Sequence, residues 1–425
     1  MIPMPSIDPY LFEKIEVDGV PVHVKNWPNN VGCCIRIIFH VGARHDPKGK
    51  AGLAHLFEHL PFNGCADYHD HQTISRVNDD LFYGSLNAHT GFEQTCFHGW
   101  IPDLSRATEA ITFLSSLVNR PLLDKDQFAR EIGVIEQEIW KDFANGADVE
   151  FCKRVRRLLY GDHPFSEQAR PYGWPDTINQ ITIGDCLDHH NQYYHRGNCE
   201  IVLVGNITSE MARQFLPPLT GVMSEGLGRA WPRIYECPGP LEKEVVISRA
   251  RDLGLANTRN AQIRISRLCS VVDWSDATVW VAGSIIRERL FEIIRQEIGA
   301  TYSPSFNHQK YSDHQFVTGL IVVDPSSVTR SRQAVRDSID WLAEDSSEVE
   351  KLFKDKRARR IGELKAAERT AAQIARSAEE EIVTTGTKTL FREIEELEQL
   401  GREEVVRFAA TELSEERLFW VIVEP

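Results

Sequence analysis

His55, Glu58 and His59 are the residues of this chain whose types and spacing could do chemistry, in the run Gly52-Leu53-Ala54-His55-Leu56-Phe57-Glu58-His59-Leu60. In a helix, His55 and His59 stand at i and i+4. Their rings then leave one face a turn apart, close enough to share a metal ion. Glu58 follows His55 by three residues and precedes His59. A carboxylate there reaches a metal-held water without ligating the metal. The order H-x-x-E-H inverts the H-E-x-x-H zinc motif, and the chemistry it implies is zinc-assisted hydrolysis. So short a motif also arises by chance in a chain with 15 His among 425 residues, so a further ligand must come from downstream.

A helix capped by Asp124 or Asp126 carries Phe128, Glu131, Val134, Ile135, Glu138 and Ile139. Glu131 and Glu138 are seven apart and share a face nearly in phase, whereas Glu136 points well away. Two aligned carboxylates fit either a solvated acidic face or a pair in which one binds and the other supports. His69, His71, His89 and His98 form no i,i+4 pair with another ligand type and read as loop or strand surface residues, open to substrate contact. Cys65 reads as a packed structural thiol.

These groups need elements to hold them. Residues 21–25 and 33–41 are β-branched and strand-like, and a loop leads from them into the motif helix, which stops before Asn63-Gly64. A helix over 72–83, one or two strands over 85–100, and helices over 102–119, 150–160 and 183–194 follow, then a buried strand at 198–205. Proline and glycine crowd residues 217–240, and a linker is placed at 223–240 between an N-terminal domain (1–222) and a C-terminal one (241–425). The second half repeats the order: strands near 245–247 and 261–268, a helix over 276–297, strands near 302–309 and 315–323, a charged helical run over 347–381 and a terminal strand over 417–423. The expected fold class is α+β, two homologous domains, each a mostly antiparallel sheet packed with helices. Residues 286–295 stand where the motif helix stands in the first half and hold no His pair.

The formal net charge of −14 argues against a nucleic-acid partner. No basic leader with an apolar core opens the sequence and no apolar run spans a bilayer, so neither secretion nor a membrane is expected. Nine scattered cysteines without C-x-x-C spacing read as reduced thiols of a cytoplasmic protein.

With these residues quoted, the chain resembles the pitrilysin, insulin-degrading-enzyme and mitochondrial-processing-peptidase family of inverted zinc metallopeptidases, above all its short bacterial members. The resemblance rests on residues 52–59, Asn63-Gly64, Asn87-Ala88-His89-Thr90 with Glu93 and Thr95, the 128–139 helix, 161–164, Tyr193-Tyr194 with Asn198, and 204–207. It implies Zn²⁺ on His55, His59 and Glu138, with Glu131 as a supporting carboxylate and Glu58 as general base on the zinc-held water. It implies that Asn87, Ala88, His89 and Thr90 receive substrate as an added strand. It further implies that Arg295 and Tyr302 act on the substrate backbone and oxyanion across a closed chamber, supplied by another subunit. The expected activity is a zinc-dependent endopeptidase working as a homodimer, or as a heterodimer with a related subunit. The alternatives are a non-catalytic chamber or scaffold subunit and a plain metal-binding regulator. Ala300-Thr301, His89 and the His- and Asp-rich loop 65–72 depart from the family pattern and bear on substrate preference.

Overall fold

The structure, a computed structural model, describes residues 11–425 apart from 29, 227, 230–239, 256–258, 296–303, 345, 367–369 and 386–392. Its contacts group into two units. One comprises Met1–Asp142, Arg170–Pro232 and Glu368–Phe391; the other comprises Phe143–Ala169, Arg233–Ala367 and Arg392–Pro425. A boundary read from composition at 223–240 leaves residues 143–169 with the first half and 371–385 with the second. By contact, each belongs to the unit built mainly by the opposite half.

The first unit contains β1 (Glu13–Val17), β2 (Val20–Asn26), β3 (Cys33–Phe39), β4 (Asn87–Thr90), β5 (Thr95–Ile101) and β6 (Cys199–Gly205), in the order β1-β2-β6-β3-β5-β4. β2 and β6 run parallel and the other pairs antiparallel. β1 lies outside the strands expected from sequence. It joins β2 through Asp18-Gly19, both at positive φ (49° and 81°), the backbone that a two-residue hairpin turn requires. β3 and β6 are buried along their whole length, and apart from Arg36 and Glu200 their side chains are apolar on both faces. On one face Phe39 packs against Phe97 and Tyr194, on the side of α1 (Leu53–His59), α2 (His71–Phe82), α3 (Ala107–Asn119) and α4 (Lys125–Asp142).

The charged run over 347–381 is two helices in different units. The second, Ala371–Thr385, covers the other face of the first sheet. Its Ala371, Ile374, Ala375, Ala378 and Ile382 form a stripe at helical spacing and pack on Cys34, Ile38, Cys96, Val202 and Val204.

The second unit holds β7 (Glu244–Ser248), β8 (Ala261–Ser270), β9 (Ser305–Lys310), β10 (His314–Val323) and β11 (Phe419–Glu424), in the order β7-β11-β8-β10-β9, with β7 and β11 parallel. Setting β1 aside, the two sheets match strand for strand, as the repeat in the sequence implies. The helix Asp276–Ile293 follows β8 as α1 follows β3, and it packs in a core with Ile265, Trp274, Phe408 and Trp420. His163, Asp313 and His314 form a buried group in this unit. His163 Nδ1 accepts the Phe165 amide at 3.1 Å, and Nε2 donates to Asp313 at 3.1 Å. Both ring nitrogens are thus engaged in hydrogen bonds. No helix among the described residues is long and apolar enough to cross a membrane. The described cysteines other than Cys152 are buried.

Candidate metal centre

The motif helix α1 is only seven residues long, so its ends need support. Asp46 supplies it: its carboxylate accepts the amides of Gly52 at 2.7 Å and Ala54 at 2.9 Å. Gly52 itself has φ 101°, and a Cβ there would stand 2.5 Å from the Tyr172 carbonyl oxygen. Only glycine meets both conditions. Gly52→Ala is therefore expected to destabilise the unit by at least about 1–2 kcal/mol from the left-handed backbone alone. Chemical denaturation measures this; an unchanged midpoint would mean that the backbone at residue 52 relaxes out of the left-handed region and the 170–173 loop gives way with it.

Leu53, Ala54, Leu56, Phe57 and Glu58 are buried while His55 and His59 keep one open side. Phe57 is wedged against Tyr194 and His190, with ring centroids at 4.8 and 5.4 Å. That contact fixes the helix rotation, and so the direction of the two histidines. Their rings lie 4.7 Å apart. α4 packs beside α1 and buries Ile135 and Ile139, with Glu131 and Glu138 turned toward the histidines. Glu138 Oε2 lies 3.1 Å from His55 Nε2, and Glu131 Oε2 lies 3.0 Å from His59 Nδ1. Glu136 points elsewhere and accepts from Asn179.

One ligand atom each from His55, His59 and Glu138 lies within 4.8 Å of the others. The donor set fits a divalent cation with an open position. Glu131 holds the Nδ1 proton of His59 and leaves Nε2 for the metal side. Glu58 is 6% exposed. Its Oε2 accepts from Thr90 Oγ1 at 2.8 Å and sits 3.4 Å from His55 Nδ1. Burial works against charge on both residues. Even so, bonds to Glu138 and Glu58 push His55 up to about 9, and His55 and Thr90 hold Glu58 below the ordinary carboxylate range. Three carboxylates around two imidazoles leave the site short of positive charge, which a dication supplies.

The other candidates are placed as follows. Cys65 is buried and bridges to Tyr68 and Pro121, outside the metal group. His69 and His71 are exposed. Burial, then the Arg36 charge, lowers His98 to about 4. Asn87, Ala88, His89 and Thr90 form β4, an edge of its sheet. Arg295, in the second unit, is exposed with its guanidinium 5.4 Å from the Phe291 ring centroid. Tyr302 lies outside the described residues. Sequence reasoning missed Asp46, and it missed Tyr172, whose ring is 6.1 Å from that of His55 and whose hydroxyl donates to Asp142.

Two family profiles match the chain: insulinase (peptidase family M16) over residues 22–151, and the peptidase M16 inactive domain over residues 180–354. The chain belongs to peptidase family M16. The half matched by the inactive domain is the one whose counterpart of α1 lacks a His pair. The protein named uncharacterized zinc protease YmxG, of Bacillus subtilis (strain 168), is 21% identical over 399 residues, covering 91% of this chain and 92% of the relative. A solved M16 inactive domain from Pseudomonas fluorescens superposes with a TM-score of 0.81 at 17% identity, over 97% of this chain and 98% of that one. A protease from Helicobacter pylori gives 0.78 at 16%, over 98% and 100%. At such identities the structural matches establish the fold.

Proposed function

We propose that this chain is a zinc-dependent endopeptidase acting on peptides in a chamber that a second copy completes. The observation that carries the reading is the convergence of His55, His59 and Glu138 with the buried Glu58 beside them. Zinc held by those three residues would supply the Lewis acidity that makes a water reactive near neutral pH and polarises the scissile carbonyl. Glu58 takes the proton of the attacking water and delivers it to the leaving amine. Glu131 fixes the His59 ring through Nδ1. The free edge of β4, Asn87 to Thr90, takes the peptide backbone as an added strand, so affinity comes with little sequence demand. Arg295 and Tyr302 of the partner subunit hold the substrate backbone and the oxyanion.

Metal analysis of the purified protein, beside cleavage of a quenched fluorescent basic peptide with and without chelator, tests the reading. Zinc at about one per chain with chelator-sensitive cleavage is expected. Zinc without cleavage would point to a heterodimer whose partner is missing. Neither zinc nor cleavage would leave a scaffold subunit. Glu131→Ala is expected to weaken zinc binding about 10- to 100-fold with the fold kept, as read by competition against a chromophoric chelator.

A further inference from the structure

β4 alternates between two faces of its sheet. Thr90 points to Glu58, and His89 points to the opposite face, where the helix Ala371–Thr385 lies. There His89 Nε2 is 2.8 Å from Glu379 Oε1, and the Arg36 guanidinium takes the other carboxylate oxygen. The Glu379 side chain is 1% exposed, whereas that of His89 is 40% exposed. The His98 ring stands 5.4 Å from that of His89, and Cys96 of β5 faces it across the ladder. An ionised carboxylate only accepts hydrogen bonds, so Nε2 of His89 carries a proton. With that single proton on the ring, Nδ1 is a hydrogen-bond acceptor, and the ring is part-exposed at the edge of β4.

Resting on the peptidase reading above, we propose that His89 is a specificity residue. It reads the side chain of the substrate residue paired opposite it, accepting donors and cations (Lys, Arg, Gln, Asn) through Nδ1 and refusing carboxylates. In a paired strand the residue directly opposite projects to the same face, with Cβ atoms about 4.5–5.5 Å apart. The substrate residue opposite His89 therefore meets this ring, while its chain neighbours face the metal side. Arg36 cannot reverse the preference, because it is buried and engaged by Glu379. The preferred substrates are thus peptides with a basic or amide side chain at one fixed register from the scissile bond.

The test uses the full-length, zinc-loaded protein at pH 8. Peptides carry Lys, Gln or Glu in turn at each position flanking the cleaved bond, and wild type is compared with His89→Ala and His89→Phe. Phe keeps an aromatic ring on the strand and removes Nδ1. At one position wild type is expected to favour Lys and Gln over Glu in kcat/KM by about threefold to tenfold, the range of one hydrogen bond. Both variants should bring that ratio near one, with zinc content and melting temperature retained. A preference that survives in both variants, or no position with any preference, overturns the assignment. Absence of all cleavage by wild type would instead overturn the peptidase reading, and this inference with it.

Discussion

Glu58→Gln is expected to lower kcat by at least about 10²–10⁴-fold while zinc content and thermal stability stay close to wild type. Gln keeps the shape of the side chain and can still accept from Thr90 Oγ1, so α1 and its contact with β4 survive. It cannot take a proton. The ligand atoms of His55, His59 and Glu138 are untouched, so the substitution separates proton transfer from metal binding. Removing a ligand, as in His59→Ala, should instead cost zinc and activity together. Glu58 sits below the ordinary carboxylate range because the bonds from His55 and Thr90 outweigh burial. It is therefore ionised, as a base must be, at and above neutral pH. Zinc titration and steady-state kinetics on one preparation decide the point. Substantial turnover by zinc-loaded Glu58→Gln would remove Glu58 as the base.

Much of this site was legible because its geometry is local. The i,i+4 spacing of His55 and His59 needs one turn of helix to become a shared face. The seven-residue interval of Glu131 and Glu138 needs only two turns to stay in phase. What helix phase left open, a solvated acidic face, is closed by tertiary packing: α4 lies on α1, and each carboxylate meets a different histidine. The strand repeat was visible for the same reason, since alternation and buried runs are local signals. β1 was missed although Asp18-Gly19 is a hairpin signal. Glu379 was out of reach in another sense. It lies 343 residues from Arg36 and 290 from His89, and no periodicity carries a pairing over such a distance. A charged run over 347–381 looks continuous in sequence, yet only its second part has the small-residue stripe that can lie flat on a sheet. That stripe was the available clue that Ala371–Thr385 had a destination of its own.

Glu379→Ala is expected to destabilise the first unit by about 3–5 kcal/mol, the usual cost of leaving a buried charge without its partner. Arg36 is 7% exposed and its guanidinium donates to Glu379. Alanine leaves that cation against an apolar patch of Cys34, Ile38 and Ala375. Replacing both partners with apolar residues, Arg36→Met with Glu379→Leu, should be far milder than the single change, because no uncompensated charge remains. The pH dependence has a fixed sign. Burial alone would raise the Glu379 pKa, but His89 and Arg36 outweigh it and hold the group at about 2, against an ordinary value of 4.5. The folded state therefore binds the proton less readily than the unfolded chain. This contribution is fully present above about pH 4.5 and is lost as pH falls toward about 2. Denaturant titrations between pH 7 and pH 2 should show an acid-dependent loss in wild type that is reduced in Glu379→Ala. A single mutant within about 1 kcal/mol of wild type at pH 7, well below the cost of an unpaired buried charge, would show that Arg36 finds another partner. The same helix holds His89 from the face opposite Glu58. Weakening it should therefore loosen the edge strand, and KM for a cleaved peptide should rise before zinc is lost.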